Sequence, residues 1–144
     1  AHIDAVAEYL RLRRDAPVVV AIPSDGATIE AEQGLVLPPA RETAEGVRAP
    51  EGGSVILRSN MEREAEYVLE ARLAAPRAGQ FVLRLLTESS DPAPEMTVDP
   101  GRVDAPQWMR LTDDPIALPR GRVGLQIVLP PGARVDAVRV RPAG

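Results

Sequence analysis

The stretch TIEAEQG, residues 28 to 34, puts two carboxylates two positions apart in a segment that reads as a β-strand. A strand has a side-chain period of two, so Glu30 and Glu32 fall on one side of it. There they repel unless water, a cation or a base lies between them. Such a pair could ligate a hard cation, hold a guanidinium or stand in solvent. Few other chemistries are open. The chain has no cysteine, and its one histidine is His2. Within this chain that removes disulfides, thiolate metal sites, covalent haem attachment, nucleophile triads and histidine metal clusters. No pair of acids stands out as a hydrolase site, so the expectation is a protein that is not an enzyme.

The totals narrow the partners. Acids outnumber bases 21 to 17, and every base is arginine. Binding to a phosphate backbone needs a basic face, so nucleic acid is not expected as a partner. No window approaches the roughly 20 apolar residues of a membrane span. At 144 residues and 44% hydrophobic, the chain has material for one domain with a core and a short appendage.

Two unequal parts supply the elements. In AHIDAVAEYLRLRRDAP, Ile3, Val6, Ala7 and Leu10 recur at helical spacing. Asp4 lies in the first turn and Arg11, Arg13 and Arg14 in the last, which predicts a short amphipathic helix over residues 1–16. Residues 17–26 read as a linker with a short strand, VVVAI, closed by the turn SDGA. From residue 27 the period is two, in short stretches separated by Pro and Gly: ATIEAE, GSVILR, EAEYVLEARLAA, QFVLRLLT, EMTVD, QWMRLT, RVGLQIVL and RVDAVRVR. In the third, Ala65, Tyr67, Leu69, Ala71 and Leu73 share one face, against Glu64, Glu66, Glu70 and Arg72 on the other. Many short strands jointed by 15 prolines and 11 glycines predict an all-β sandwich or barrel. The loop TESSDPAPE reads as an exposed excursion.

The order of these pieces resembles the β-jelly-roll carbohydrate-binding modules of families 6 and 35, within the galactose-binding-like superfold. IEAEQG resembles the opening strand, and EGGSVIL the Gly-Gly turn into the next one. AEYVLEARLAAPRAGQFVLRLL resembles a hairpin turning at Ala78, Gly79, Gln80 and Phe81. MTVDPG resembles the strand ending in V-D-G, QWMRLTDDPIALPRGRVGLQIVL the tryptophan strand and those after it, and RVDAVRV the closing strand. The resemblance covers residues 27 to 142 and implies a β-sandwich jelly roll over 27–144, with the helix in front of it. It also implies a structural calcium ion held by Glu30, Glu32 and Asp136. Asp136 shares a strand face with Val138 and Val140, which predicts that it points inward, where a carboxylate needs a cation, a base or several donors. The alternative is a solvated Glu30–Glu32 face paired with Arg134 or Arg139. Separately, IDAVAEYLRLR resembles the last helix of class I c-type cytochromes. The haem motif C-x-x-C-H is absent, so any cytochrome would lie before Ala1.

For sugar contact the candidates are Trp108, Asp99, Asp104, Asn60 and Gln107. An exposed aromatic ring stacks on a sugar, and polar side chains bind its hydroxyls. Aromatics make up 3% of the chain, and Tyr67 and Phe81 align with core-facing leucines. At the position of Trp108 the resemblance implies a packing residue of core or rim, and for the polar candidates turn chemistry is the competing reading. Two functions follow. One is a non-catalytic glycan-binding module of a larger secreted or periplasmic protein. The other is a structural or protein-interaction domain, attached to a c-type cytochrome or part of a multi-subunit envelope redox complex.

Overall fold

The computed structural model describes residues 19–43, 46–77, 79–87, 95–112 and 114–143, with Glu32 as backbone alone. The helix expected over residues 1–16 therefore lies outside the described residues, as does nearly all of TESSDPAPE. Thirteen strands follow in order: β1 Val19–Ile22, β2 Ala27–Glu30, β3 Leu35–Leu37, β4 Arg41–Thr43, β5 Gly46–Ala49, β6 Gly53–Met61, β7 Ala65–Ala75, β8 Phe81–Leu86, β9 Glu95–Val98, β10 Val103–Arg110, β11 Ile116–Leu118, β12 Gly121–Leu129 and β13 Ala133–Pro142. A single 3-10 turn, Ala31–Gln33, follows β2.

The strands form two sheets. The first runs β1-β6-β12-β8-β9, with β3 also on β6; the second runs β10-β7-β13-β5-β4, with β11 on β7 and β2 on β13. Alternation builds the core between them. From the second sheet come Tyr67, Leu69, Ala71, Leu73, Val135, Val138 and Val140; from the first come Val55, Leu57, Phe81, Leu83, Val123, Leu125 and Ile127. Each is at most 1% exposed, and burying side chains of this size is what drives the two layers together. The result is an all-β sandwich, as the strand pattern predicts, and a jelly roll, as the resemblance implies.

Three local expectations meet the structure differently. First, the β7 and β8 segments do not form a hairpin. β7 pairs with β10, β11 and β13, whereas β8 pairs with β12 and β9. The chain therefore crosses from one sheet to the other at residues 76–80, and Phe81 meets the core from the opposite side. Second, the short strand expected within residues 17–26 is present as β1. It lies parallel to β6, Val19 opposite Arg58 and Ile22 opposite Met61, and it buries Ile22 completely. Third, TIEAEQG is strand only as far as Glu30. There the backbone turns into the 3-10 segment, with the Glu30 N–H donating to Gln33 Oε1 at 2.9 Å. The period of two that placed Glu30 and Glu32 on one strand face ends between them.

Candidate functional site

The long strands β7 and β13 pair along most of their length, and residues directly opposite on antiparallel strands share a face. On the outer face of the second sheet this produces successive rungs. Arg41, Arg48, Arg134 and Ala74 lie across β4, β5, β13 and β7. Glu30, Ala137, Arg72 and Trp108 lie across β2, β13, β7 and β10; Thr28, Arg139, Glu70 and Arg110 form the next rung.

Trp108 is the chain's one tryptophan, and it lies at the rim of the second sheet and not in the core. It stands 39% exposed on this outer face, with the Arg139 guanidinium 4.4 Å from its ring centroid. A cation over an exposed indole contributes about 0.5–1 kcal/mol. Arg139 is itself fixed by Glu70, whose Oε1 accepts from Arg139 Nε at 3.2 Å and from Arg141 Nε at 2.6 Å. Burial pushes the Glu70 carboxyl up, but the hydrogen bonds from Arg141 and Arg139, with their charges, outweigh it and hold the group below its ordinary value. The arrangement is an aromatic ring with one face under a guanidinium whose position is set by a paired carboxylate.

Asp136 does not point into the core. A β-bulge between Val135 and Ala137 adds a residue to β13, so Val135 and Val138 both face inward and Asp136 turns toward the outer side. There its carboxylate lies 3.0 Å from Arg134 Nε and 3.8 Å from Arg72 Nε, with its side chain 18% exposed. Glu30, on the neighbouring strand opposite Ala137, is exposed. Two arginines lie near this acid, yet Asp136 Oδ1 is buried without a hydrogen-bond partner, and among the described residues no group of three or more His, Cys, Asp or Glu is placed to hold a metal ion. The Glu32 side chain, the remaining member of the expected ligand set, lies outside the described residues.

The other candidates scatter. Asn60 is on the outer face of the first sheet, opposite Arg122. Asp99 accepts the Gly101 N–H at 3.0 Å, the turn chemistry of an Asx loop. Asp104 pairs with Arg102 at 2.9 Å, both well exposed. Gln107 is exposed on β10 next to Trp108. Gln107 stands opposite Leu73 and Trp108 opposite Arg72, so the two point to opposite faces of β10 and no two of the five sugar candidates are brought together. The residues that do surround the tryptophan, Arg72, Arg139, Glu70 and Arg141, belong to no motif. Their signal is the alternation of charges with apolar residues in LEAR and VRVR.

The architecture is that of β-jelly-roll carbohydrate-binding modules. No protein-family model matches the chain, and no curated protein matches its sequence; the likeness is to solved structures. The CBM36-1 domain of a multidomain xylanase from the hindgut metagenome of Trinervitermes trinervoides superposes with a TM-score of 0.60 at 10% identity, over 83% of this chain and 99% of that one. The family 6 module CBM6cm-2 of Cellvibrio mixtus lichenase 5A, in complex with cellotriose, gives 0.59 at 16% identity, over 83% and 99%. The Bacillus thuringiensis Cry1Da tryptic core variant gives 0.70 at 14% identity, over 87% of this chain and 25% of that one. The chain therefore spans about a quarter of the Cry1Da core and nearly all of the two modules. Among the described residues no helix is long and apolar enough to cross a membrane.

Proposed function

We propose that the chain is a non-catalytic glycan-binding module of a larger secreted or periplasmic protein, and that it takes up sugar on the outer face of its second sheet. The observation that carries this reading is Trp108. A lone tryptophan 39% exposed on a sheet face, flanked by oriented guanidinium and carboxylate groups, is the combination a pyranose ring needs. The indole face takes the C–H side of the sugar, and the charged groups take its hydroxyls. The fold it shares with a module solved with cellotriose adds support.

Affinity electrophoresis against β-glucan, xylan, mannan and galactan tests this. At least one polymer should retard the protein, and Trp108→Ala should abolish the retardation. That variant should lose less than about 1 kcal/mol of stability, because only a cation–π contact and a partly exposed ring are removed. A chain that no polymer retards, or a variant retarded as strongly as the parent, overturns the reading. The already paired charges around Trp108 favour a second reading, a protein-contact face such as an envelope redox complex would use. A partner captured equally by the parent and by Trp108→Ala would count against it.

A further inference from the structure

A groove of about 360 Å³ crosses the outer face of the first sheet. Its central rung is Val19, Arg58, Gly124 and Leu86, across β1, β6, β12 and β8, with Ile56 beside it. Gly124 puts no side chain into the middle of that rung. The face around it is apolar. Leu35 opposite Ile56 and Val82 opposite Val128 are all half-buried, and Val19 is 37% exposed. The outer face of the second sheet carries instead Arg41, Arg48, Arg72, Glu70 and Arg139.

The chain reaches this groove at Val19. One edge of β6 is taken by β12 along its whole length, and β1 and β3 share the other, opposite Arg58–Met61 and Ser54–Ile56. With β3 already beside Ile56, the chain before Val19 cannot continue along β6 and must leave the sheet there. On the inner side Leu57 is fully buried in the core, so the open way lies over the outer face. The segment that arrives by it is residues 1–18, in which Ile3, Val6, Ala7 and Leu10 recur at helical spacing. A helix of that length is marginal in water and is stabilised chiefly by burying its apolar stripe. Sixteen helical residues span about 24 Å, and the five strands from β1 to β9 about 19 Å. Leu10 lies nine residues before Val19, about 14 Å along a helix. Leu86 lies three strand spacings from Val19, also about 14 Å.

We propose that residues 1–16 form an amphipathic helix that docks in this groove, across the strands, with Leu10 seated against Leu86 beside Gly124. The stems of Arg58 and Arg122, both exposed at the groove, lie along its flanks. A segment docked there leaves Trp108, on the other sheet, open to solvent. The inference does not rest on the glycan reading.

The chain has no cysteine, so a pair introduced by substitution has no competing partner. In the whole chain under mild oxidation, Leu10→Cys with Leu86→Cys should close an internal disulfide at least ~10-fold faster than Leu10→Cys with Arg110→Cys. Arg110 is exposed on the outer face of the second sheet and serves as the control. The arginines of the segment give a second readout. Trypsin cleavage after Arg11, Arg13 and Arg14, followed by mass spectrometry, should run about tenfold faster in Ile3→Asp with Leu10→Asp than in the parent. Gly124→Leu fills the groove and leaves the segment itself intact, and it should speed the same cleavage while a thermal melt shows the sandwich still folded. Equal closure of the two cysteine pairs overturns the proposal. So does a disulfide that joins two chains instead of closing within one, which would give the groove to a second copy. Cleavage that Gly124→Leu leaves unchanged overturns it as well, because the segment then sits elsewhere.

Discussion

The two sheets turn the same kind of surface inward and different ones outward. Inward, both present leucine, valine, isoleucine and one large aromatic, Tyr67 or Phe81. Outward, the first sheet carries a shallow groove whose central rung is Val19, Arg58, Gly124 and Leu86 across β1, β6, β12 and β8. Gly124 leaves the notch there, and Arg58 and Arg122 flank it. The second sheet carries Trp108 within a set of arginines tied to Glu70 and Asp136. Packing dictates the inner residues and leaves the outer ones free, so a difference between outer faces is where a binding role is written. The second face is organised in advance. Its guanidinium groups are held before any ligand arrives, which lowers the ordering cost of association.

The sharpest way to break this comparison is to add one methyl group to each sheet. Gly46, at the start of β5, has a φ of +113°, and a Cβ there would lie 2.6 Å from the Val135 carbonyl oxygen and 2.8 Å from Asp136 Oδ1. Both strain and the bulge resist it, so Gly46→Ala should cost on the order of 3 kcal/mol and loosen the Arg134–Asp136 anchor. Gly124 has ordinary strand geometry, and its Cβ would stand 3.2 Å from Leu86 Cβ. Gly124→Ala should therefore change stability by less than about 1 kcal/mol while filling the notch. Thermal melts of the two variants decide the matter. Equal melting temperatures would mean that the bulge does not fix the second face.

A smaller effect separates the paired charges of the two faces. Glu70 is held below its ordinary pKa of 4.5. A depressed carboxyl contributes stability above its unfolded value, and that contribution disappears as the pH falls through the folded value. The Glu70 contribution should thus be complete at neutral pH and vanish on acidification below about 4.5. The melting temperatures of the parent and Glu70→Gln should differ at pH 7 and converge in acid. Because Arg139 and Arg141 are 39% and 49% exposed, the difference should stay within about 1 kcal/mol. On the first face Arg84 and Glu95 pair at 2.8 Å with both side chains nearly half exposed, so Glu95→Gln should do less. A gap that persists unchanged into acid would show that Glu70 acts through shape and not through charge.

Much of the fold was legible because alternation is a local property. The faces of EAEYVLEARLAA and RVGLQIVL follow from period two alone, and both strands formed with the expected residues inward. Partner choice is not local. Phe81, Leu83 and Leu85 show the same pattern whether β8 returns beside β7 or crosses to the other sheet, so the hairpin reading had nothing to correct it. Short strands such as Leu35–Leu37, Arg41–Thr43 and Ile116–Leu118 are too brief to show a period and form because longer strands offer them edges. The site was less legible still. Asp136 was assigned inward by counting along β13, and a bulge, which leaves no mark in the sequence, reversed it. For Trp108 the resemblance implies a place in core or rim without choosing, and its 39% exposure on the edge strand β10 goes with the rim.

The smallest expected effect concerns the two glutamates of TIEAEQG. A calcium ion at Glu30, Glu32 and Asp136 would link β2 to β13 across the pair Glu30–Ala137, and a ligand bound only to the folded state raises the melting temperature by mass action. Arg134 Nε lies 3.0 Å from Asp136 Oδ1, and a divalent ion would have to share that carboxylate with a guanidinium. EDTA is therefore expected to leave the melting temperature unchanged, and millimolar calcium to add nothing. The variant Arg134→Gln sharpens the point, because it frees Asp136 from its nearest base while keeping the strand. If calcium stabilises this variant but not the parent, the corner has the oxygen ligands and the arginine has taken the cation's place. If calcium stabilises the parent as well, Glu32 and nearby carbonyls complete a metal site, and the second face is organised by an ion as well as by arginines.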